Sequence, residues 1–347
     1  MKHSILRLIL CLVLSPAAYA ADATWSGYVK LEDVDNLHGG KKTGNVVNLA
    51  GKIAATYNIV GSEHIPDGIY KLGLLGATHT RSQNSYTAAI QTTSQLDVQR
   101  EIRISNLSYE DTLAPYITGR IGVMDLEQYY DITEAAIHLH NSAFINAMAL
   151  DQNTQLASFP YPGVGAMLEV RKNRDYALLG LYQGNPQHLH TFLYHGFMLI
   201  GEAGTQVSHF SVKAGAWLYQ AGDTPNYNNA RGAYFIGQQD WRTDSNHDMV
   251  AFMQFAYSNE EPKYIPYSLT LGVNSNNIFL NDNSDWLSFG IGTVWIQNLP
   301  SEIVYELSYT IKFCGYWYLT PDLQYFVRPS GIYSNATVFS LRLAYWF

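Results

Sequence analysis

From Ala336 to Phe347 the chain keeps a two-residue period without a break. Thr337, Phe339, Leu341, Leu343, Tyr345 and Phe347 fall on one side, and Ala336, Ser340, Arg342 and Ala344 fall on the other. Alternation of this length belongs to a β-strand, whose successive side chains point to opposite faces. The apolar face ends in aromatic residues, whereas the opposite face carries a guanidinium group midway, which marks it as wet. Such a strand needs an apolar medium on one side and water on the other.

The pattern recurs along the chain. Sixteen candidate strands can be read, at 24–33, 46–58, 68–80, 97–109, 113–124, 163–172, 175–184, 193–203, 208–219, 232–240, 247–258, 264–274, 285–296, 302–313, 316–327 and 336–347. In 208–219, Phe210, Val212, Ala214, Ala216 and Leu218 oppose His209, Ser211, Lys213, Gly215, Trp217 and Tyr219. In 302–313, Ile303, Tyr305, Leu307, Tyr309, Ile311 and Phe313 oppose Glu302, Glu306, Ser308, Thr310 and Lys312. In 316–327, Trp317, Leu319, Leu323 and Tyr325 oppose Thr320, Asp322 and Gln324. Alternation is weakest in 97–109 and 232–240.

A local pattern does not by itself separate a soluble sandwich from a membrane barrel. The separation comes from the aromatic ends of the apolar faces, from 26 tyrosines suited to the two water interfaces, and from the even strand count. After residue 20 no run approaches the ~20 apolar residues of a spanning helix. The expected fold is all-β, a single transmembrane antiparallel β-barrel of about 16 strands. Its setting would be the outer membrane of a Gram-negative bacterium, in contact with outer-membrane lipid. The terminal strand with its final Phe resembles the assembly signal of bacterial outer-membrane barrels, which names the barrel assembly machinery as a partner.

The other end agrees. Lys2 and Arg7 precede the apolar run Leu8 to Leu14, and Ala18-Tyr19-Ala20 has small residues at the two positions a signal peptidase reads. Residues 1–20 are therefore expected to be a signal peptide, and 21–347 the barrel. Without the leader the charge moves from −8 to −10, with 19 basic against 29 acidic residues. An acidic product without a basic run is a poor nucleic-acid binder. Cys314 is left as a single thiol, so no internal disulfide forms.

Connections alternate short and long. Glu110 to Thr112, Lys172 to Arg174 and Cys314 to Tyr316 read as tight turns, while 81–96, 125–162 and Ala221 to Arg231 read as long connections; 276–284 is long for the side on which it falls. Structureless connections as long as 125–162 are uncommon unless functional. It contains a helix-compatible run, Thr133 to His140, with Thr133 as N-cap and Glu134 near the positive helix end. The expectation is a constriction loop that folds into the barrel.

Several segments resemble the carbohydrate-selective porin family often called OprB-like. They begin with Gly119-Arg120-Ile121-Gly122-Val123-Met124-Asp125, Tyr130-Asp131 and Asn141-Ser142-Ala143-Phe144. Leu199-Ile200-Gly201-Glu202-Ala203-Gly204, Lys213-Ala214-Gly215-Ala216-Trp217 and Ala230-Arg231-Gly232-Ala233-Tyr234 with Gln238-Gln239 follow in the family's order. The strongest part is Ser301-Glu302, Glu306-Leu307-Ser308-Tyr309 and Pro321-Asp322-Leu323-Gln324-Tyr325, with Pro329 behind it. The resemblance implies a sixteen-stranded channel for passive diffusion of sugars and other small polar solutes, either a homotrimer or a monomer. The first hundred residues carry none of it.

Sugars present hydroxyls around a weakly apolar ring. A selective passage therefore needs carboxylate acceptors, cationic donors and aromatic faces, in contacts weak enough to release the solute. The wet strand faces offer Arg120, Lys213, Trp217, Glu302, Glu306, Lys312, Asp322, Gln324, Arg328 and Arg342; the long connection offers Asp125, Glu127, Asp131, Glu134 and Asn141. Arg120, just before the long connection, and Asp131, near its start, lead the set. Against this stands a structural role, in which the same charges hold the barrel round and anchor the loop. His138 with His140, and His188, His190 and His195, have spacings that suit a metal only with further ligands, and none completes either set. Exposed loop histidines are the plainer reading, and no cofactor motif is present. Two further functions remain open. A general or anion-type porin would show a basic ladder, whereas here acids and bases mix. An outer-membrane hydrolase would need a nucleophile motif such as Gly-x-Ser-x-Gly, which is absent, so the chain is not read as an enzyme.

Overall fold

The computed structural model describes residues 23–60, 66–188, 196–222, 227–242, 248–259, 264–280 and 284–347. The expected leader, together with His190 and His195, lies outside them. Among the described residues the alternating segments form sixteen strands. These are β1 (Ala23–Gly40), β2 (Gly44–Ile59), β3 (Gly68–His79), β4 (Glu101–Ala114), β5 (Ile117–Met124), β6 (Gly163–Lys172), β7 (Asp175–Gln183) and β8 (Phe197–Val207). The ring continues with β9 (Phe210–Gln220), β10 (Ala230–Arg242), β11 (Asp248–Ser258), β12 (Tyr267–Asn276), β13 (Asp285–Trp295), β14 (Glu302–Phe313), β15 (Trp317–Val327) and β16 (Ser334–Trp346).

Each strand pairs antiparallel with its neighbours in sequence, and β16 returns to β1 to close the barrel. Leu31 lies opposite Leu343 and Glu32 opposite Arg342. Gly27 and Phe347 exchange two backbone hydrogen bonds of 2.9 and 3.0 Å at the end of this seam. Closure satisfies every edge, which is what hydrocarbon demands of a spanning sheet. The protein is thus an outer-membrane β-barrel; no helix among the described residues is long and apolar enough to cross a membrane.

Side-chain direction follows the alternation. Leu307, Leu323, Phe339 and Leu341 lie exposed on the outer face, and Glu306, Ser308, Gln324, Ser340 and Arg342 lie buried on the inner one. The inner burial has a second cause. Residues 80–100, between β3 and β4, and 125–162, between β5 and β6, leave the same rim and turn into the barrel. Leu126, Leu139, Phe144, Met148 and Leu150 of the longer segment are buried among Tyr182, Met198, Ile200, Phe252, Val304 and Phe326 of the wall. The two segments also join each other: Ser142 N donates to Thr92 O at 3.0 Å, Gln95 N to His140 O at 3.2 Å, and Asn141 Nδ2 to Gln91 O at 3.1 Å.

Several boundaries differ from the sequence reading. Glu110 to Thr112 is not a turn but the interior of β4, because Glu110 faces inward to cationic partners while Leu107, Tyr109 and Leu113 continue the outer face. The turn falls at Pro115-Tyr116, with Tyr116 left-handed at φ 69°. Strand β8 is displaced along the chain by the turn at Ser208-His209, where Ser208 takes φ 56°. Strand β1 runs on to Gly40, through two register shifts after Asn36. Thr133 to His140 gives only a 3-10 turn, Glu134–Ala136, without a side-chain cap bond from Thr133. The wall competes for that backbone. Ala135 N donates to Gln238 Oε1, His138 O accepts from Ser308 Oγ, and His140 N donates to Glu306.

Candidate functional site

Four glutamates on the inner wall meet the inserted segments through main-chain or hydroxyl donors. Glu302 accepts from Ile90 N at 2.9 Å, Gln91 N at 2.8 Å and Ser330 N at 2.5 Å. Glu306 accepts from His140 N and, at 3.0 Å, from Asn141 N. Glu202 accepts from Asp131 N at 2.9 Å and from the hydroxyls of Tyr176 and Tyr234 at 2.7 and 2.6 Å. Glu32 accepts from Ser94 Oγ and from both Nε and Nη2 of Arg342, at 3.0 and 2.7 Å. Bonds to an ionised acceptor are about twice as strong as neutral ones, and burial deepens them.

The candidates from the long segment divide in the same way. Asp131, left-handed at φ 59° and fully buried, accepts from Ala147 N at 2.6 Å and Gln254 Nε2 at 2.8 Å. Asn141, also fully buried, bonds Gln324 Oε1 at 3.0 Å and caps the turn at Ala143. Asp125 caps the turn Leu126–Gln128, and Glu127 accepts from Asn146 Nδ2 at 2.6 Å. Burial raises the pKa of Asp125, Glu127 and Asp131, and the neighbouring Asp125 and Asp151 carboxyls raise Glu127 further. Glu134 differs. Its side chain is 60% exposed while it accepts from Lys213 Nζ at 2.6 Å and Gln238 Nε2 at 2.8 Å.

On the opposite side the wall carries an ion-pair ladder across β3 to β6. Lys71 meets Glu110 at 3.0 Å, Glu110 meets Arg120 at 2.8 Å, Arg120 meets Glu169 at 2.7 Å, and Glu169 meets Arg171 at 2.5 Å. The ring of Tyr129, from the inserted segment, lies 5.3 Å from the Arg120 guanidinium carbon. Of the remaining candidates, Trp217 is buried in a stack on Tyr234, Lys312 sits 5.8 Å from the Tyr318 ring, and Asp322 accepts from Gln324 Nε2 at 2.9 Å. Arg328 stands apart: it is an exposed residue at φ 54° between β15 and β16. The sequence reading did not single out Glu32, Glu110, Glu169 or Glu202, although parity places each on the wet face of its strand. It also read 81–96 only as a long connection and began the next strand at 97, four residues before β4 starts at Glu101.

His188 is exposed between β7 and β8, as expected of a loop histidine, whereas His138 and His140 are turned into the barrel. His138 stacks on Trp286, with ring centres 4.8 Å apart and planes at 18°, and burial pushes its pKa down to about 4. His140 is buried beside Glu32 and Ser340, and burial with the nearby Arg342 and Lys30 charges pushes it well below the ordinary imidazole value. Among the described residues no group of three His, Cys, Asp or Glu side chains is placed to hold a metal.

Residues 208–347, which span β9 to β16, match the family model described as carbohydrate-selective porin, OprB family. Through these residues the second half of the barrel resembles the carbohydrate-selective porin family. The family segments read at 119–204 lie outside the matched range. No curated protein sequence matches the chain. Among solved structures, the chain is similar to the high-pH structure of Pseudomonas putida OprB, with a TM-score of 0.83 at 14% identity over 94% of each chain. The low-pH structure of the same protein gives 0.62 at 14% identity, over 94% of this chain and 92% of that one. A loop-deletion mutant of OmpT, an outer membrane protein of Vibrio cholerae, gives 0.60 at 10% identity, over 94% and 100%. At such identities these likenesses describe the fold, a sixteen-stranded porin barrel.

Proposed function

We propose that this porin conducts sugars by passive diffusion through the outer membrane, that residues 125–162 with 80–100 form its constriction, and that residues 1–20 are a leader removed on export. Its partners are then small polar solutes and the surrounding lipid, with the terminal strand offered to the assembly machinery.

One observation carries the sugar reading. The inserted segment presents the exposed Glu134 carboxylate and the Tyr129 ring toward walls that hold Lys213 and the Lys71–Glu110–Arg120–Glu169–Arg171 ladder. Alternating donors and acceptors match a ring of hydroxyls, each bond weak because its partner is already satisfied. Arg120, Lys213, Glu134 and Lys312 are the solute-facing members of the candidate set. Glu302, Glu306, Asp131, Asn141, Asp322, Gln324 and Arg342 serve as seats for the constriction. Trp217 supports the wall, and Asp125 and Glu127 hold the start of the loop.

Single-channel recording in planar bilayers tests the reading. Mono- and oligosaccharides added to one side are expected to reduce the ion current in a concentration-dependent way. A current insensitive to every sugar but reduced by small organic anions would make this a general or anion-type porin instead.

A further inference from the structure

Strands β13, β14, β15, β16, β1 and β2 are consecutive around the ring, and near the rim of short turns all of them turn aromatic or cationic side chains inward. The register sets them side by side: Lys312 opposite Tyr318, Trp346 opposite Tyr28, and Tyr28 opposite Lys52. Trp286 lies 6.4 Å from Tyr318 between ring centres, and Tyr28 lies 5.0 Å from Trp346. Lys30 Nζ sits 4.8 Å from the Tyr28 ring and 5.0 Å from the Trp346 ring. None of these side chains is fully buried, and Trp346 is 42% exposed.

The lysines of this band lack carboxylate partners. Among the described residues Lys30, Lys52 and Lys312 form no ion pair, unlike Lys71, Arg120, Arg171, Lys213 and Arg342. The acids of the same six strands that face inward are engaged deeper in the barrel: Glu32 with Arg342, Glu302 and Glu306 with main-chain donors, Asp322 with Gln324. The carboxyls of Asp125 and Glu127, on the inserted segment, lie on the Tyr28 and Lys52 side of the band.

We propose that this band is a binding site for carboxylated sugars such as hexuronates, the sugar ring stacking on Trp286, Tyr318 or Trp346 and the carboxylate meeting Lys30 or Lys312. An aromatic face takes the apolar face of a pyranose, and a cation already resting on a ring has shed part of its hydration. A neutral sugar would use the stacking alone, and a small inorganic anion the lysines alone. Only a solute carrying both groups uses the whole band. The proposal rests on the channel reading above.

The test is flux into proteoliposomes of the full chain with the membrane potential clamped at zero. Glucuronate is expected to enter about fivefold faster than glucose, the discrimination of one exposed ion pair. The double variant K30Q/K312Q should bring the ratio close to one, and K30R/K312R should keep it. Replacing Trp286 and Tyr318 by leucine should slow both sugars. A wild-type ratio at or below one overturns the proposal. So does a ratio unmoved in a K30Q/K312Q protein that keeps the heat-modifiable gel mobility of a folded barrel. An equal preference for acetate over glycerol also overturns it, since the sugar ring would then play no part. Ion conductance with no uronate preference defeats only the proposal, whereas absence of any conductance defeats the channel reading with it.

Discussion

Glu306 holds two successive main-chain donors, His140 N and Asn141 N, with one carboxylate inside a buried contact. Glu306→Gln removes half of the acceptor capacity, leaving a buried N–H short of a partner. A buried donor left unsatisfied costs about 1–3 kcal/mol. The expected result is a noisier, higher open conductance at unchanged barrel mobility on gels; an unaltered single-channel trace would contradict it. His138 supplies a pH dependence of known sign. Its folded value near 4 lies below the ordinary 6.5, so the docked segment takes the proton later than a released one. Docking then weakens as pH falls from about 6.5 toward 4, by a few kcal/mol at most. Asp131 and Glu127, whose values are raised, act in the opposite direction. His138→Phe keeps the stack on Trp286 without the charge. Recording gating noise at pH 7 and pH 5 in wild type and variant reads the share of this histidine: the acid-induced increase should shrink in the variant, with His140, also pushed down, supplying the remainder.

The two inserted segments form one unit, since Ser142 bonds Thr92 and Gln95 bonds His140. Glu302→Gln loosens the seat of 80–100 and Glu306→Gln the seat of 125–162. Their combined effect on gating is expected to deviate from the sum of the single effects by about 0.5–3 kcal/mol, as for residues in one network. Exact additivity would mean that the segments move independently. The limits of sequence reading lie at this scale too. Strand positions and faces were legible because a period of two is local: Phe339, Leu341 and Arg342 declare their sides unaided. The socket role of Glu302 was not, because its partners Ile90 and Gln91 stand more than two hundred residues earlier and meet it first through main-chain N–H groups, which carry no residue signature, with the Gln91 side-chain amide adding a bond of 3.2 Å. The turn at Pro115 was missed for the opposite reason. Glu110-Asp111-Thr112 looks like a turn by composition, and only the cations of β3 and β5 explain a charge in mid-strand.

Across the whole molecule the outer face and the closing seam decide whether a barrel exists at all. Leu341 is an outward residue near the middle of β16, the strand that pairs with both β15 and β1. Leu341→Arg should destabilise the barrel by about 2–4 kcal/mol if it lies near the bilayer midplane. Urea unfolding in lipid vesicles reads this directly, and a shift within error would place Leu341 away from the hydrocarbon. The interior answers to a different rule. The wall glutamates grip the inserted segments largely through peptide N–H groups, which nearly every amino acid supplies. At those donors the seat is indifferent to the side chains of the segment it holds. A loop at 125–162 that keeps the buried Leu126, Leu139, Phe144, Met148 and Leu150 with Asp131 and Asn141 is expected to dock with its remaining residues rewritten, so the barrel can change its solute while leaving its frame untouched.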